Sequence, residues 1–299
     1  MPFKQVTIIG TGLIGGSLGL ALRKRHLVGR VIGCDRAPVL ERAQDCGAIE
    51  AGSSNPADAI RGSDLIVLAT PVLGILDLID RLGPTVLSGT LITDVGSTKA
   101  AIVERAAKSF GRSAGQRFLA GHPMAGKENA GVEFADADLF EGAAWLFTPL
   151  PRQDPRTGLS GEFLHCTEKM GARVATLDPA DHDRFCAWIS HLPQMISTAM
   201  AAALVDEFGP DAPVLDIGGR ALREMTRVSG SPYSMWRDIA ISNKKNIGDV
   251  LLKLEQRLAH IRENLDSKLL ADEFERAHQL RKTPAPRHGD REKTKQGQK

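Results

Sequence analysis

Four cysteines in 299 residues (Cys34, Cys46, Cys166 and Cys186) are too few and too scattered to build a disulfide framework. None stands in a C-x-x-C pair, so the spacing of a structural zinc site is absent too. No apolar run reaches about 18 residues, which removes a candidate spanning helix. The first residues hold one Lys and then pass at once into a strand-like run, so no signal peptide is expected. Charge of one sign is also lacking. Lys plus Arg number 38 and Asp plus Glu 36, a net +2. That balance argues against a dedicated nucleic-acid or polyanion binder. The small excess is local: residues 282–299 hold six basic and two acidic residues, +4, which leaves −2 for residues 1–281. No internal repeat is visible. A cytoplasmic protein with no membrane and no nucleic-acid partner is the expectation.

What is present is enough apolar residue, 42%, for one large core or two smaller ones. Length alone suggests about two domains. Residues 3–9, FKQVTII, are short, apolar and β-branched, and they stop at Gly10. This predicts a buried strand. Residues 13–25 then predict a helix that ends in basic residues. Further strands are predicted at 31–35, 65–70, 90–95, 117–123, 143–149 and 172–177. Helices are predicted at 39–46, 73–81 and 98–110. Strand and helix alternating at this spacing predict an open parallel sheet, an α/β Rossmann-type domain over residues 1–177. The pattern changes at Asp178-Pro179, an N-cap followed by Pro at the first helical position. From there helices are predicted at 179–208, 214–229, 234–243 and 247–281, an all-α domain over 178–282. The last carries an apolar stripe close to a 3.5–3.6 period. The tail, 283–299, is polar and expected to be disordered.

Gly10-Thr11-Gly12-Leu13-Ile14-Gly15 is G-x-G-x-x-G. It follows a predicted strand and opens a predicted helix, and Asp35 ends the next strand 20 residues after Gly15. That is the context a dinucleotide fingerprint requires. Gly10 permits the tight turn, Gly12 lets the backbone approach a pyrophosphate, and Gly15 lets the helix pack on the sheet. The N–H groups near Leu13 and Ile14 face the phosphates. Asp35 should accept bonds from the adenosine ribose and repel a 2′-phosphate, so NAD is expected over NADP. Arg36 is the complication, because an Arg there can accommodate that phosphate. It can equally stack on adenine or lie on the surface. Thr70 and Pro71, where the 65–70 strand closes, complete the expected cofactor-binding set.

Four further segments carry chemistry. They are Asp94-Val95-Gly96-Ser97-Thr98-Lys99, Gly121-His122-Pro123-Met124-Ala125-Gly126, Ser190-His191-Leu192-Pro193-Gln194, and Met225-Thr226-Arg227-Val228 with Trp236-Arg237-Asp238 beyond it. His122 sits just past a strand end, where open α/β sheets bind ligands. Ser97 precedes a helical run and suits an N-cap. Ser190 and His191 lie on a helix that Pro193 must kink. With the glycine turn, these segments resemble, in order and spacing over residues 4–280, the prephenate/arogenate (cyclohexadienyl) dehydrogenase family of tyrosine biosynthesis.

The resemblance implies NAD-dependent oxidative decarboxylation of prephenate to 4-hydroxyphenylpyruvate, with arogenate to tyrosine as a second possibility. It implies that His122 polarises or removes the proton of the ring hydroxyl, a task that suits a neutral imidazole. It implies that Ser97 bonds the same hydroxyl near the nicotinamide, and that Arg227 holds a substrate carboxylate in its planar fork. Ser190, His191, Glu128 and Trp236 complete the implied substrate set, Trp236 serving alternatively as interface core. Many prephenate-preferring relatives carry His where this chain has Gln194, so Gln194 weakens an exclusive claim for prephenate. Asp94 and Lys99 read as architectural. His182-Asp183 could join His122 in a metal site, but a structural role is the preferred reading and no metal is expected.

Two other classes compete. A β-hydroxyacid-dehydrogenase-like reductase would carry a Lys on the first long helix of the second domain, and residues 178–208 contain none. A nucleotide sensor that lost its chemistry would not keep Ser97, His122 and Arg227 together. The resemblance also implies a homodimer through the helical domain, for which the 247–281 stripe offers apolar surface. No fused mutase ahead of residue 1 and no regulatory domain after 281 are expected.

Overall fold

The first strand, β1 (Phe3–Ile9), alternates its side chains between two apolar layers. Val6 and Ile8 enter one buried cluster and Ile9 the other. In β4 (Leu65–Leu68), Leu65 and Val67 face the first layer while Ile66 and Leu68 face the second. A strand buried on both faces has no polar side, which is why these runs read as continuously apolar. The remaining strands are β2 (Val28–Cys34), β3 (Ala51–Ser53), β5 (Leu91–Asp94), β6 (Phe118–Pro123), β7 (Ala144–Thr148) and β8 (Arg173–Thr176). They form one sheet in the order β3-β2-β1-β4-β5-β6-β7-β8. This computed structural model describes residues 1–282 apart from 84, 87, 128, 212, 214 and 215.

Helices α1 (Leu13–Lys24), α2 (Ala37–Asp45), α3 (Pro56–Ala59), α4 (Val72–Leu82), α5 (Ala100–Phe110), α6 (Ala114–Arg117) and α7 (Gly158–Lys169) connect the strands. The predicted all-parallel sheet needs one correction. β7 runs antiparallel to β6, with His122 opposite Leu146 and Pro123 opposite Trp145, and β8 then pairs parallel to β7. Periodicity cannot give strand direction, since a buried strand reads the same both ways. The short edge strand β3 and helix α7 were not foreseen either. β3 has three residues, none of them large and apolar.

After β8 the chain is helical: α8 (Pro179–Cys186), α9 (Leu192–Phe208), α10 (Arg220–Thr226), α11 (Tyr233–Ser242), α12 (Lys244–Glu263) and α13 (Lys268–Lys282). Asp178 caps α8, its carboxylate accepting from the N–H groups of Ala180 and Asp181. Three predicted helices are corrected. The 179–208 helix is interrupted by a π turn at Ala187–His191, where Leu192 N–H reaches back five residues to the Ala187 carbonyl. Pro193, with no N–H to donate, follows directly. The 214–229 helix spans only Arg220–Thr226 and tightens into a 3₁₀ turn at Arg227–Gly230; its first two residues lie outside the described ones. The 247–281 helix is two helices, because Asn264 and Ser267 turn the chain back on itself through local bonds.

Two compact units result, Met1–Ile247 and one that starts at Gly248. In the second, Arg257 on α12 meets Glu273 on α13 at 2.7 Å. No helix among the described residues is long and apolar enough to cross a membrane. The predicted tail, 283–299, lies outside the described residues.

Candidate active site

The C-terminal ends of β1, β4 and β5 converge on one cleft of about 290 Å³. Gly12, Leu13 and Ile14 line it beside Thr70, Pro71 and Ser97. A neighbouring groove, lined by Gly10, Asp35, Arg36, Ser54 and Arg81, shares Thr70 with it. The two together have the layout of a dinucleotide site, a long trough across strand ends.

The three glycines differ in what demands them. Gly10 has φ +95, and a Cβ there would meet the Ala69 carbonyl oxygen at 2.6 Å. A Cβ on Gly15 would overlap the Gly10 carbonyl oxygen. Gly12 has nothing within 4 Å of its Cβ position. Two glycines are therefore required by the protein itself and the third keeps open space beside the helix. Gly16 N–H is the first to close a helical bond, on the Gly12 carbonyl (2.8 Å), so the N–H groups ahead of it have no intrahelical acceptor. The Asp35 carboxylate is held by the N–H of Thr11 (2.8 Å) and of Arg36 (2.8 Å) at the end of β2. These residues fit a dinucleotide: an open cradle of N–H donors at one end and a fixed, half-buried carboxylate at the other.

The catalytic candidates lie deeper. Asp94 and Lys99 are fully buried and paired with each other. Lys99 Nζ also donates to the Gly121 carbonyl (2.7 Å), and Asp94 accepts from Gly96 N–H (2.8 Å) and Gly121 N–H (3.3 Å). Burial pushes the Asp94 carboxyl up and the Lys99 ammonium down, each opposed by the other's charge. The pair ties the loop that carries Ser97 to the strand that carries His122. His122 is only 7% exposed. Burial, then the neighbouring His182, Lys99 and His191, hold it well below its ordinary 6.5, so its imidazole is neutral.

Behind it runs a chain of polar contacts. His122 Nδ1 lies 2.9 Å from His182 Nε2, and His182 Nδ1 lies 2.9 Å from Asp183 Oδ1. The Asp183 carboxylate also accepts from the N–H of Lys99 (2.7 Å) and Ala100 (3.0 Å) at the start of α5. That cap comes from α8, so Ser97 does not supply it. The His122, His182 and Cys186 donor atoms all lie within 4.8 Å of one another. Two nitrogens bound to one tetrahedral zinc would stand about 3.3 Å apart, given Zn–N bonds near 2.0–2.1 Å. The 2.9 Å separation is that of a hydrogen bond.

The remaining expected residues are placed as follows. His191 is buried, takes a bond from Asn243 Nδ2 (3.2 Å) and meets Trp236 edge to face; burial lowers it to about 4. Ser190, half-buried, precedes it in the π turn. Gln194 is buried and turned to the 3₁₀ segment: its Nε2 donates to the Val228 carbonyl (2.8 Å), and Ser231 Oγ donates to its Oε1 (3.3 Å). Arg227, exposed, opens that same segment. Glu128 lies outside the described residues. The 290 Å³ cleft thus gathers Ser97 with the cofactor turn, whereas His122, Ser190, His191, Gln194, Arg227 and Trp236 are not among its lining. It also gathers Lys127, Ser231, Ser234 and Met235, which sequence reasoning missed. Residues 230–232 fall between two predicted helices, and only the fold brings Ser231 and Pro232 to the glycine turn.

The chain matches the family model described as prephenate dehydrogenase, nucleotide-binding domain, over residues 18–176. It matches the prephenate dehydrogenase dimerization domain over 178–279. The chain belongs to the prephenate dehydrogenase family. The two matches meet at residue 177, and the glycine turn lies ahead of the first, so its assignment rests on the geometry above. The chain is 31% identical to the prephenate dehydrogenase of Lactococcus lactis, an alignment that covers 93% of this chain and 77% of that one. Its structure is similar to that of prephenate dehydrogenase from Aquifex aeolicus in complex with hydroxyphenyl propionate and NAD+, with TM-score 0.80, 28% identity and 94% and 96% of the two chains covered. It is similar also to Synechocystis arogenate dehydrogenase, with TM-score 0.71, 28% identity and 93% and 96% covered.

Proposed function

We propose that this chain catalyses the NAD-dependent oxidative decarboxylation of prephenate to 4-hydroxyphenylpyruvate. The observation that carries the reading is the junction of Ser97 and His122. Ser97 lines the cofactor cleft, and a neutral buried imidazole is tied to the same loop through Asp94, Lys99 and Gly121.

NAD, when bound, supplies the hydride acceptor. The first-turn N–H groups of α1 would hold its pyrophosphate, and Asp35 its adenosine ribose. Asp35 fixed in place disfavours a 2′-phosphate, so NAD is preferred to NADP. The chain's own work is to orient the ring, take one proton and exclude water. Ser97 Oγ hydrogen-bonds the ring hydroxyl. His122 accepts that hydroxyl's proton as the ring carbon becomes a carbonyl, and once CO2 leaves and the ring is aromatic the imidazolium returns a proton to the phenolate oxygen, which gives the phenol. Loss of the carboxylate needs no protein base, because aromatisation drives it. Arg227 binds a carboxylate of the substrate with its bidentate fork. Gln194 acts through that residue, holding the 227–231 segment by two bonds. This arrangement also admits the side chain of arogenate, since Gln194 spends its amide on the protein.

The exposed Leu252, Leu258, Leu265, Leu269, Phe274 and Leu280 form an apolar surface on α12, α13 and their connection. A second copy of this chain is the natural cover for it, giving a homodimer through the helical half. Initial rates with prephenate and arogenate, each crossed with NAD and NADP, test the reading. Prephenate with NAD should lead, and no NADH from either substrate would overturn it. The acid limb adds a second check. His122 is depressed, so kcat/KM should hold level from pH 8 down through 6.5 and fall only below it. A limb centred at or above 6.5 would remove His122 from the role.

A further inference from the structure

We infer that His182 and Asp183 set the tautomer of His122 and so make its Nε2 the basic nitrogen. The inference rests on the reading of His122 as the proton acceptor and deepens it.

The argument begins at the fixed end. A carboxylate can only accept, so the contact between Asp183 Oδ1 and His182 Nδ1 at 2.9 Å places the hydrogen on His182 Nδ1. Burial keeps His182 neutral despite the bond to Asp183, so its Nε2 carries a lone pair. That lone pair lies 2.9 Å from His122 Nδ1. The hydrogen between the two rings must therefore belong to His122 Nδ1, which leaves His122 Nε2 as the free lone pair. Cys186 agrees with this direction. Burial pushes its thiol up to about 12, so it keeps its hydrogen and approaches His182 Nε2 (3.6 Å) as a second donor.

The fixed end is itself well held. Asp183 accepts from the N–H groups of Lys99 and Ala100, and its backbone carbonyl takes a bond from Asn243 Nδ2 (2.8 Å). Asp183 is 2% exposed and His182 fully buried. One carboxylate therefore anchors both the helix that follows Ser97 and the ring pair that ends in His122. When His122 Nε2 takes the hydroxyl proton, Nδ1 keeps its own hydrogen and its bond to His182, so the imidazolium forms without rotation of the ring. His182 is a positioning residue and touches no substrate.

The direct test is long-range proton–nitrogen correlation NMR of the full-length protein with nitrogen-labelled histidine, assigned with His122→Gln. In the wild type, His122 should carry hydrogen on Nδ1 and none on Nε2; the reverse would overturn the inference with no variant needed. His182→Leu, which leaves Asp183 its two backbone bonds, should shift His122 toward the Nε2–H form. It should lower kcat about tenfold or more while KM for prephenate and NAD changes less than about threefold. His182→Gln, which keeps an acceptor near the same point, should recover part of kcat. An unchanged tautomer and kcat in His182→Leu would overturn the inference. Failure of the underlying reading looks different: His122→Ala would still turn over, whatever the spectrum shows.

Discussion

At the scale of single residues, the glycine turn separates two demands that the motif merges. Gly15→Ala places a Cβ into a backbone carbonyl, and the contact cannot be relieved by a rotamer. It should cost about 3 kcal/mol or more, a melting point lower by roughly 6 °C, in a thermal scan. Gly12→Ala meets nothing in the protein. It should leave the melting point within about 2 °C and raise KM for NAD about tenfold, because the added methyl occupies the space the pyrophosphate needs. Equal losses of stability in the two variants would show that Gly12 serves the fold. This distinction was not legible in G-x-G-x-x-G, which names the positions without saying which neighbour each faces. His122 and Ser97 were singled out by their motifs. The contact of His182 with His122 was not legible, because a histidine beside an aspartate on a helix start is common, and only the approach of α8 to β6 gives it that partner.

At the scale of elements, α11 is joined to the Rossmann layers by one buried carboxylate. Asp238, 2% exposed, accepts from Leu73 N–H in the first turn of α4 (3.1 Å) and pairs with Arg237 (2.9 Å). It acts as an N-cap supplied from another helix, close to Pro71 in the cofactor cleft. Asp238→Ala should destabilise the chain by about 1–2 kcal/mol, read by urea unfolding, and the loss should exceed that of Arg237→Ala, whose side chain is half exposed. Equal losses would mean that the ion pair, not the cap, carries the effect. The elements themselves were mostly readable. Apolar β-branched runs gave every strand but β3, and Asp178-Pro179 marked the start of α8 correctly. The kink at Pro193 was readable, though not its form as a π turn; the reversal near Asn264 was not, because it is set by hydrogen bonds between positions whose residue types fit a continuous helix equally well.

At the scale of the whole molecule, three neutral histidines meet where the sheet and the helices pack. His122, His182 and His191 are all held below 6.5, chiefly by burial. In the unfolded chain each returns to about 6.5, so below that pH the unfolded state binds more protons. Stability is therefore full above pH 6.5 and is lost as pH falls toward the folded values, by up to about 1.4 kcal/mol per pH unit for each histidine. Urea unfolding at pH 7.5 and 5.5 should show a marked fall, and His191→Gln should flatten it. A flat profile would mean that none of the three is held below 6.5 in the folded protein.

The carboxylate of Asp183 also bears on how such a protein can be rearranged. It belongs to the helical segment, yet it caps a helix of the nucleotide-binding layers, and the His182 ring that it bonds faces His122 on their sheet. Modular exchange is constrained accordingly. A graft of residues 1–177 onto an unrelated helical partner would keep the glycine turn, Asp35, Ser97 and His122, and would lose the group that aligns the last two. Cofactor affinity should travel with the graft, whereas turnover should stay behind.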